Sequence, residues 1–304
     1  MQVRDLSIPS AGATLAASLW MPDDPKGVGI VMVGGSGPSD RHNDVLFPPI
    51  REHLLARGIA VLSYDKRGVG ESTGSWVGST VDDLAADAAA AHDVLRQELP
   101  VVGLLGHSEG GWVVLRAAAS CQELAFVVTN STPGLTPAVQ DRYAVGVAIR
   151  GSGATADVQS SVLDFYDRLT AELRRGASWD EVQPMLKAEP DLKPYFGDMD
   201  EDAWRAAGPN LDHDPELDVA GLVCPHLAVF GSADALVPVP ASVEAFSIAT
   251  AARPSDGPPM TIEVFPGADH RLRVGDGFAE GYLATLAAWI ERVTGDQLPA
   301  KVRA

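Results

Sequence analysis

Cysteine, aromatic rings and positive charge are all scarce in this chain. Two cysteines, Cys121 and Cys224, stand among 304 residues. Two cannot build a disulfide framework, and their spacing fits no metal site. They are expected to be free, mostly buried thiols, which suits a cytoplasmic protein. Lysine and arginine number 23 against 41 aspartates and glutamates, a net charge of −18. That sign repels phosphate backbones and anionic lipid, so neither nucleic acid nor a membrane is expected as a partner. No apolar run approaches the length of a membrane span. The first twenty residues carry Arg4 and Asp5 in place of a continuous apolar core, so no signal peptide is expected. No HExxH, P-loop or dinucleotide-binding pattern occurs, so neither a metal nor a nucleotide cofactor is implied. Internal repeats and low-complexity segments are absent too.

What the chain does have is an ordinary hydrophobic fraction, 46%, and enough length for a large core plus an insertion. Its organising stretch is Gly106-His107-Ser108-Glu109-Gly110. The apolar, β-like run Val101–Leu105 precedes it, and Trp112–Ala119, which suits a buried helix, follows it. A serine on a sharp strand-to-helix turn is a nucleophile elbow. The flanking glycines matter because the turn is tight and a Cβ there would clash. The turn lifts the hydroxyl out of the sheet and aims the first N–H groups of the helix at whatever the serine attacks. The same spacing recurs at Gly70-Glu71-Ser72-Thr73-Gly74. That copy follows a polar turn and leads into no helix, so Ser72 reads as a loop serine.

Residues 2–8 and 13–20 read as an N-terminal hairpin, and Gly27–Val33 as a strand covered on both faces. The bend Gly34-Gly35-Ser36-Gly37-Pro38-Ser39-Asp40 ends that strand. Placed one strand ahead of an elbow, it is the expected oxyanion loop, with the Ser36 amide as first donor. Val45–Arg57 is predicted helical and Ile59–Tyr64 a buried strand. The turn from Asp65 to Ser72 follows, with charges expected to brace it. Thr80 is predicted to cap a helix running through Leu99, with Asp82 and Asp83 in its first turn. A short strand is expected over Leu124–Val128.

Residues 134–216 contain no convincing strand. Helical patches near 137–149, 156–175, 178–188 and 201–207 are separated by Gly151-Ser152-Gly153, Gly176, Pro190, Pro194 and Gly208-Pro209. This is read as a helical cap or lid inserted into a core made of 1–133 and 217–304. Alternation resumes with a strand at 225–230, a helix near 239–251, a strand over Met260–Phe265 and a last helix at about 278–293. The expected fold is α/β, a mostly parallel central sheet with helices on both faces. Active groups should gather at the carboxyl ends of its strands.

Ser108, Asp234 and His270 each follow a predicted strand, in the chain order known for triads on such sheets. A serine hydroxyl needs a base to take its proton during attack. His270 would do that and then protonate the leaving group, while Asp234 would hold the ring. The amides of Ser36 and Glu109 would stabilise the oxyanion. Asp269, beside His270, is a competing acid, but its side chain would have to fold back. His107 is the nearest alternative base by sequence, and its side chain is expected to point away from Ser108. His42, His53, His92, His213 and His226 show no suitable partner pattern.

With those motifs in view, the chain resembles the α/β-hydrolase superfamily over nearly its whole length outside the insertion. The resemblance rests on Gly34-Gly35-Ser36-Gly37-Pro38, Asp65-Lys66-Arg67-Gly68-Val69-Gly70-Glu71-Ser72, Gly106-His107-Ser108-Glu109-Gly110-Gly111, Phe230-Gly231-Ser232-Ala233-Asp234 and Gly267-Ala268-Asp269-His270. Within the superfamily it is most similar to bacterial serine carboxylesterases with a helical cap, themselves similar to the catalytic domains of prolyl-oligopeptidase-like peptidases. Those relatives often carry a His-Gly pair before the oxyanion residue, and here Gly34 replaces that histidine. The resemblance implies hydrolysis of small or medium acyl esters through an acyl-serine intermediate, with no cofactor. Thioesterase, lactonase, peptidase or acyltransferase chemistry would use the same triad, and a non-catalytic ligand-binding scaffold would share the fold. The expected partner is a small acyl substrate, and a homodimer is left open.

Overall fold

Apolar runs bounded by turn signals become the strands of one sheet. The computed structural model describes residues 1–192, 195–196 and 199–298. Pro194, one of the expected helix breaks, lies outside them. Eight strands form the sheet: β1 (Gln2–Ser10), β2 (Ala13–Met21), β3 (Val28–Val33), β4 (Ile59–Tyr64), β5 (Val101–His107), β6 (Val127–Asn130), β7 (His226–Gly231) and β8 (Met260–Phe265). Their order is β1-β2-β4-β3-β5-β6-β7-β8. The pairs β1–β2 and β2–β4 are antiparallel, and every pair from β4 to β8 is parallel. All residues of β3 to β7 are buried, as expected of parallel strands covered on both faces.

The helices are α1 (Phe47–Ala56), α2 (Val81–Arg96), α3 (Glu109–Ala117), α4 (Pro137–Gly151), α5 (Ala156–Arg174), α6 (Trp179–Ala188), α7 (Glu201–Ala207), α8 (Pro215–Ala220), α9 (Val239–Ala251) and α10 (Tyr282–Thr294). Two cores lie on opposite faces of the sheet. On one face Val31 and Val33 of β3 pack with Ala88 of α2, Val114 of α3 and Phe246 of α9. On the other, Ile30 and Met32 pack with Ile50 of α1 and Leu286 of α10. The alternation along β3 is the two-residue period of a strand. Helices α4 to α7 lie between β6 and β7 in the chain and share a third apolar cluster, including Ile149, Val162, Phe165 and Trp204. The Trp204 indole N–H is buried there and donates to the Ala177 carbonyl at 2.8 Å.

Thr80 caps α2 as expected, in a reciprocal box with Asp83. Strand β5 runs two residues past its expected end, α2 stops at Arg96 short of Leu99, and three further elements differ from the reading of the sequence. The strand expected over 124–128 is β6, which runs three residues later at its start and ends in Asn130. The last helix begins only at Tyr282, because a small antiparallel hairpin precedes it: β9 (Arg273–Val274) and β10 (Gly277–Phe278), turning at Gly275 with φ 61°. Helix α8 was not expected. It spans the 216/217 boundary, with Asp214 accepting from the Glu216 N–H at its start and Pro215 in its first turn. Among the described residues no helix is long and apolar enough to cross a membrane. Both cysteines are free, Cys224 buried and Cys121 half-buried.

Candidate active site

Strand β5 stops at His107 and α3 starts at Glu109, so Ser108 must turn the chain alone. It does so at φ 54° and ψ −123°, a conformation that a side chain rarely adopts. The surroundings hold it there. Its N–H donates to the Asn130 carbonyl and its own carbonyl accepts from the Gly111 N–H, both at 2.9 Å. Two glycines make the approach possible. A Cβ on Gly106 would lie 2.0 Å from the Gly110 oxygen, and one on Gly110 would lie 2.5 Å from the carbonyls of Val33 and Gly34.

Asp234 follows β7 and its side chain is fully buried. One carboxylate oxygen accepts from the N–H groups of Leu236 and Val237 at 2.8 and 2.9 Å. The other lies 2.8 Å from Nδ1 of His270. A carboxylate can only accept, so Nδ1 of His270 is the donor in this contact. Asp269 is engaged elsewhere: it accepts from the N–H groups of Arg271 and Arg273 at 2.8 and 2.9 Å and closes its own turn. Ser108, His270 and Ser36 line one cavity of about 600 Å³ together with His107, Gln140 and Asp141. Among the described residues the Ser108 hydroxyl makes no hydrogen bond. Contacts of this kind commonly tighten only when substrate is bound.

His107 departs from expectation. Its ring centroid is 4.9 Å from that of His270, and it lines the same cavity. The reason is that β5 runs on through His107, so the ring continues the face of Leu105. That face also packs Ala268 and Leu272, which flank His270 in the chain. Burial, with His270 adding to it, pushes the His107 pKa down to about 3. The ring is therefore neutral and too weak a base to compete. His226 and His213 also have partners that the sequence did not suggest. His226 lies 2.9 Å from the Thr129 hydroxyl within the sheet, and His213 lies 3.4 Å from Asp218.

The loop carrying Ser36 presses directly on the elbow: a Cβ on Gly35 would sit 3.3 Å from Cβ of Ser108. The charged turn after β4 braces this contact, as expected. The Asp65 carboxylate accepts from the N–H groups of Arg41 and Glu71 at 2.7 and 2.9 Å. Arg67 grips Asp87 with two bonds of 2.7 and 2.8 Å. Ser72 is structural: its hydroxyl donates to the Asp65 carbonyl at 2.7 Å and accepts from the Ala16 N–H at 2.9 Å. Lys66 was not singled out by the sequence. Its ammonium donates to the Gly35 carbonyl at 2.6 Å and to the Glu109 carboxylate at 2.9 Å.

A second cavity of about 280 Å³ shares Ser36, Gln140 and Asp141 with the first. Trp76 and Trp112 line it, as do Tyr166 and Leu169 of α5 and Trp204 of α7. Of the insertion's other aromatics, Phe165 is core, and Trp179 and Tyr195 pack against that core. The Tyr143 hydroxyl donates to the Asp234 carbonyl at 3.5 Å. Asp141 is open to the cavity yet surrounded by protein. That enclosure, with the charge of Glu109, pushes its carboxyl up to about 6. No cluster of three or more metal-binding side chains occurs among the described residues.

Comparison with known proteins bears on the fold and the family. A non-heme haloperoxidase of Rhodococcus erythropolis is 29% identical over 241 residues, 72% of this chain and 78% of that one. An esterase of Pyrococcus furiosus has a similar structure, with a TM-score of 0.63 at 16% identity, covering 98% of this chain and 92% of that one. A thermophilic esterase of Thermogutta terrifontis gives a TM-score of 0.59 at 20% identity, covering 95% of this chain and 99% of that one. At such identities the structures speak for the fold alone. The sequence profile of the Alpha/beta hydrolase family matches residues 30–280, and the chain belongs to that family.

Proposed function

We propose that the protein hydrolyses carboxylic esters of small or medium acyl groups through an acyl-serine intermediate. The observation that carries this reading is the 2.8 Å contact between His270 and Asp234, facing the cavity that Ser108 enters on a strained turn. Nε2 of His270 takes the Ser108 proton as Oγ attacks the ester carbon. The carbonyl π pair moves onto oxygen, toward the amides of Ser36 and Glu109. Collapse expels the alcohol oxygen, which takes the proton from His270. A water then repeats the sequence on the acyl-serine, giving the acid and the free hydroxyl. Asp234 orients the ring and stabilises the imidazolium without taking its proton.

Helices α4 to α7 act in this reading as the cap over 134–216 that sets acyl choice. Supporting it are their separate core and the second cavity they line with Trp76 and Trp112. A cytoplasmic setting fits two free cysteines whose thiols burial pushes up to about 12.

The test is a p-nitrophenyl ester series with the purified protein. Ser108→Ala is expected to lower kcat/KM by about 10³-fold or more and to abolish fluorophosphonate labelling. An unchanged rate removes the proposal, and labelling at another residue reassigns the nucleophile. A panel of esters, thioesters, lactones and amides then separates the hydrolase classes.

The haloperoxidase relative supports one further arm of the same assay. Hydrogen peroxide can replace water in attacking the acyl-serine, releasing a peracid that oxidises halide and is itself reduced to the acid. Halogenation of an acceptor dye that needs both a carboxylic acid and peroxide, and is lost in Ser108→Ala, is the expected sign of this route.

A further inference from the structure

Lys66 is only 6% exposed, and its ammonium touches both halves of the proposed oxyanion site. It meets Gly35 and Glu109 through groups those residues do not offer to a substrate. On Gly35 it holds the carbonyl oxygen, at 2.6 Å. That oxygen belongs to the same peptide unit as the Ser36 N–H. The unit is planar and trans, so its C=O and N–H point in opposite directions. On Glu109 the ammonium holds the carboxylate, at 2.9 Å, while the Glu109 N–H begins α3 behind Ser108.

We infer that Lys66 is a positioning residue for the oxyanion site, fixing and polarising the Gly35–Ser36 peptide and tying it to the first residue of α3. This inference rests on the reading of Ser108 as nucleophile. A cation on a carbonyl oxygen draws electron density from the N–H at the other end of the peptide, so that N–H becomes a stronger donor. The gain grows with the charge on the acceptor, so it is larger for the tetrahedral oxyanion than for the ester carbonyl. Binding of ground-state ester therefore depends little on Lys66, and turnover depends on it strongly. Two of the ammonium's three donors are committed within the protein, so the inference assigns it to holding the two amides that face the oxyanion. The bland alternative is a buried ion pair that only stabilises the fold, and buried pairs often contribute little even to that.

The experiment compares wild type with Lys66→Met, Lys66→Gln, Lys66→Arg and Ser108→Ala. Lys66→Gln keeps a donor near the Gly35 carbonyl and removes the charge. Each variant is assayed on a p-nitrophenyl ester and is titrated, by ¹³C NMR, as the adduct of a ¹³C-labelled trifluoromethyl ketone. That ketone captures the serine as a hemiketal whose hydroxyl ionises in the oxyanion site. Lys66→Met and Lys66→Gln are expected to lower kcat by about 10- to 100-fold with KM changed less than about 3-fold. Both are expected to raise the hemiketal pKa, and Lys66→Arg, which retains the cation, to recover most of each loss. A folded Lys66→Met or Lys66→Gln protein with wild-type kcat and wild-type hemiketal pKa overturns the inference. A fall in melting temperature alone, with both readouts unmoved, assigns Lys66 to the fold and also overturns it. An adduct that still forms in Ser108→Ala would instead overturn the reading of the nucleophile, so the two failures are told apart.

Discussion

Ser108 carries its positive φ at a cost. A non-glycine residue held in such a region stores about 1–3 kcal/mol, which the surrounding contacts must offset. Ser108→Gly is therefore expected to raise the melting temperature while abolishing esterase activity, and a denaturation scan beside the ester assay checks both. A fall in stability would mean that the strained turn costs less than glycine loses on ordering. The proposed nucleophile, base and acid were legible as residues because each ends a strand, in the order Ser, Asp, His. Asp234 was preferred to Asp269 because adjacent side chains diverge; Asp234 lies 2.8 Å from the His270 ring, while Asp269 accepts from backbone N–H groups of its own turn. The place of His107 beside His270 was not legible because β5 was expected to end two residues earlier, which hid the face its ring would take. The bridge made by Lys66 was illegible, since its partners lie 31 and 43 positions away in the chain.

Helix α4 touches the loop that holds Asp234. The Gln140 side chain donates to the Leu236 carbonyl at 2.9 Å, next to the acid. Asp141, on the same helix, has its carboxyl pushed up from 3.8 to about 6 by enclosure and by Glu109. The sign follows from proton binding. Through that interval the folded chain holds a proton that the unfolded chain has released, so folding is favoured at low pH. The benefit fades as pH rises through the folded value. Asp141→Asn is thus expected to raise the melting temperature more near pH 7.5 than near pH 5, read by paired thermal scans. An equal shift at both would mean that the charge is fully solvated. At the level of elements, α4 to α7 were legible because glycine and proline breaks punctuate a helical period. The short α8 and the two-residue strands β9 and β10 were not, because so few residues carry no measurable periodicity.

Taken whole, the molecule is an acidic body with a net charge of −18 and a pI near 4.6. The lining of the larger cavity carries that sign, with Asp40, Asp44 and Asp141 outnumbering Arg271. Anionic esters should meet a field that opposes their approach. KM for a succinate monoester is expected to exceed that of its neutral methyl-capped counterpart, and the gap to narrow as salt rises from about 10 mM to 500 mM. A gap indifferent to salt would place the discrimination in close contacts instead. The sheet was legible because buried parallel strands read as unbroken apolar runs. The way two cavities join at Ser36, Gln140 and Asp141 was not, because it depends on how the inserted helices lie against the core.

Helices α4 to α7 also separate the proposed serine from its proposed base along the chain, Ser108 following β5 and His270 following β8. During translation Ser108 therefore emerges from the ribosome well before its proposed base, His270. On the proposed function, a chain stopped short of β8 would hold the serine without its base and is expected to show no ester hydrolysis.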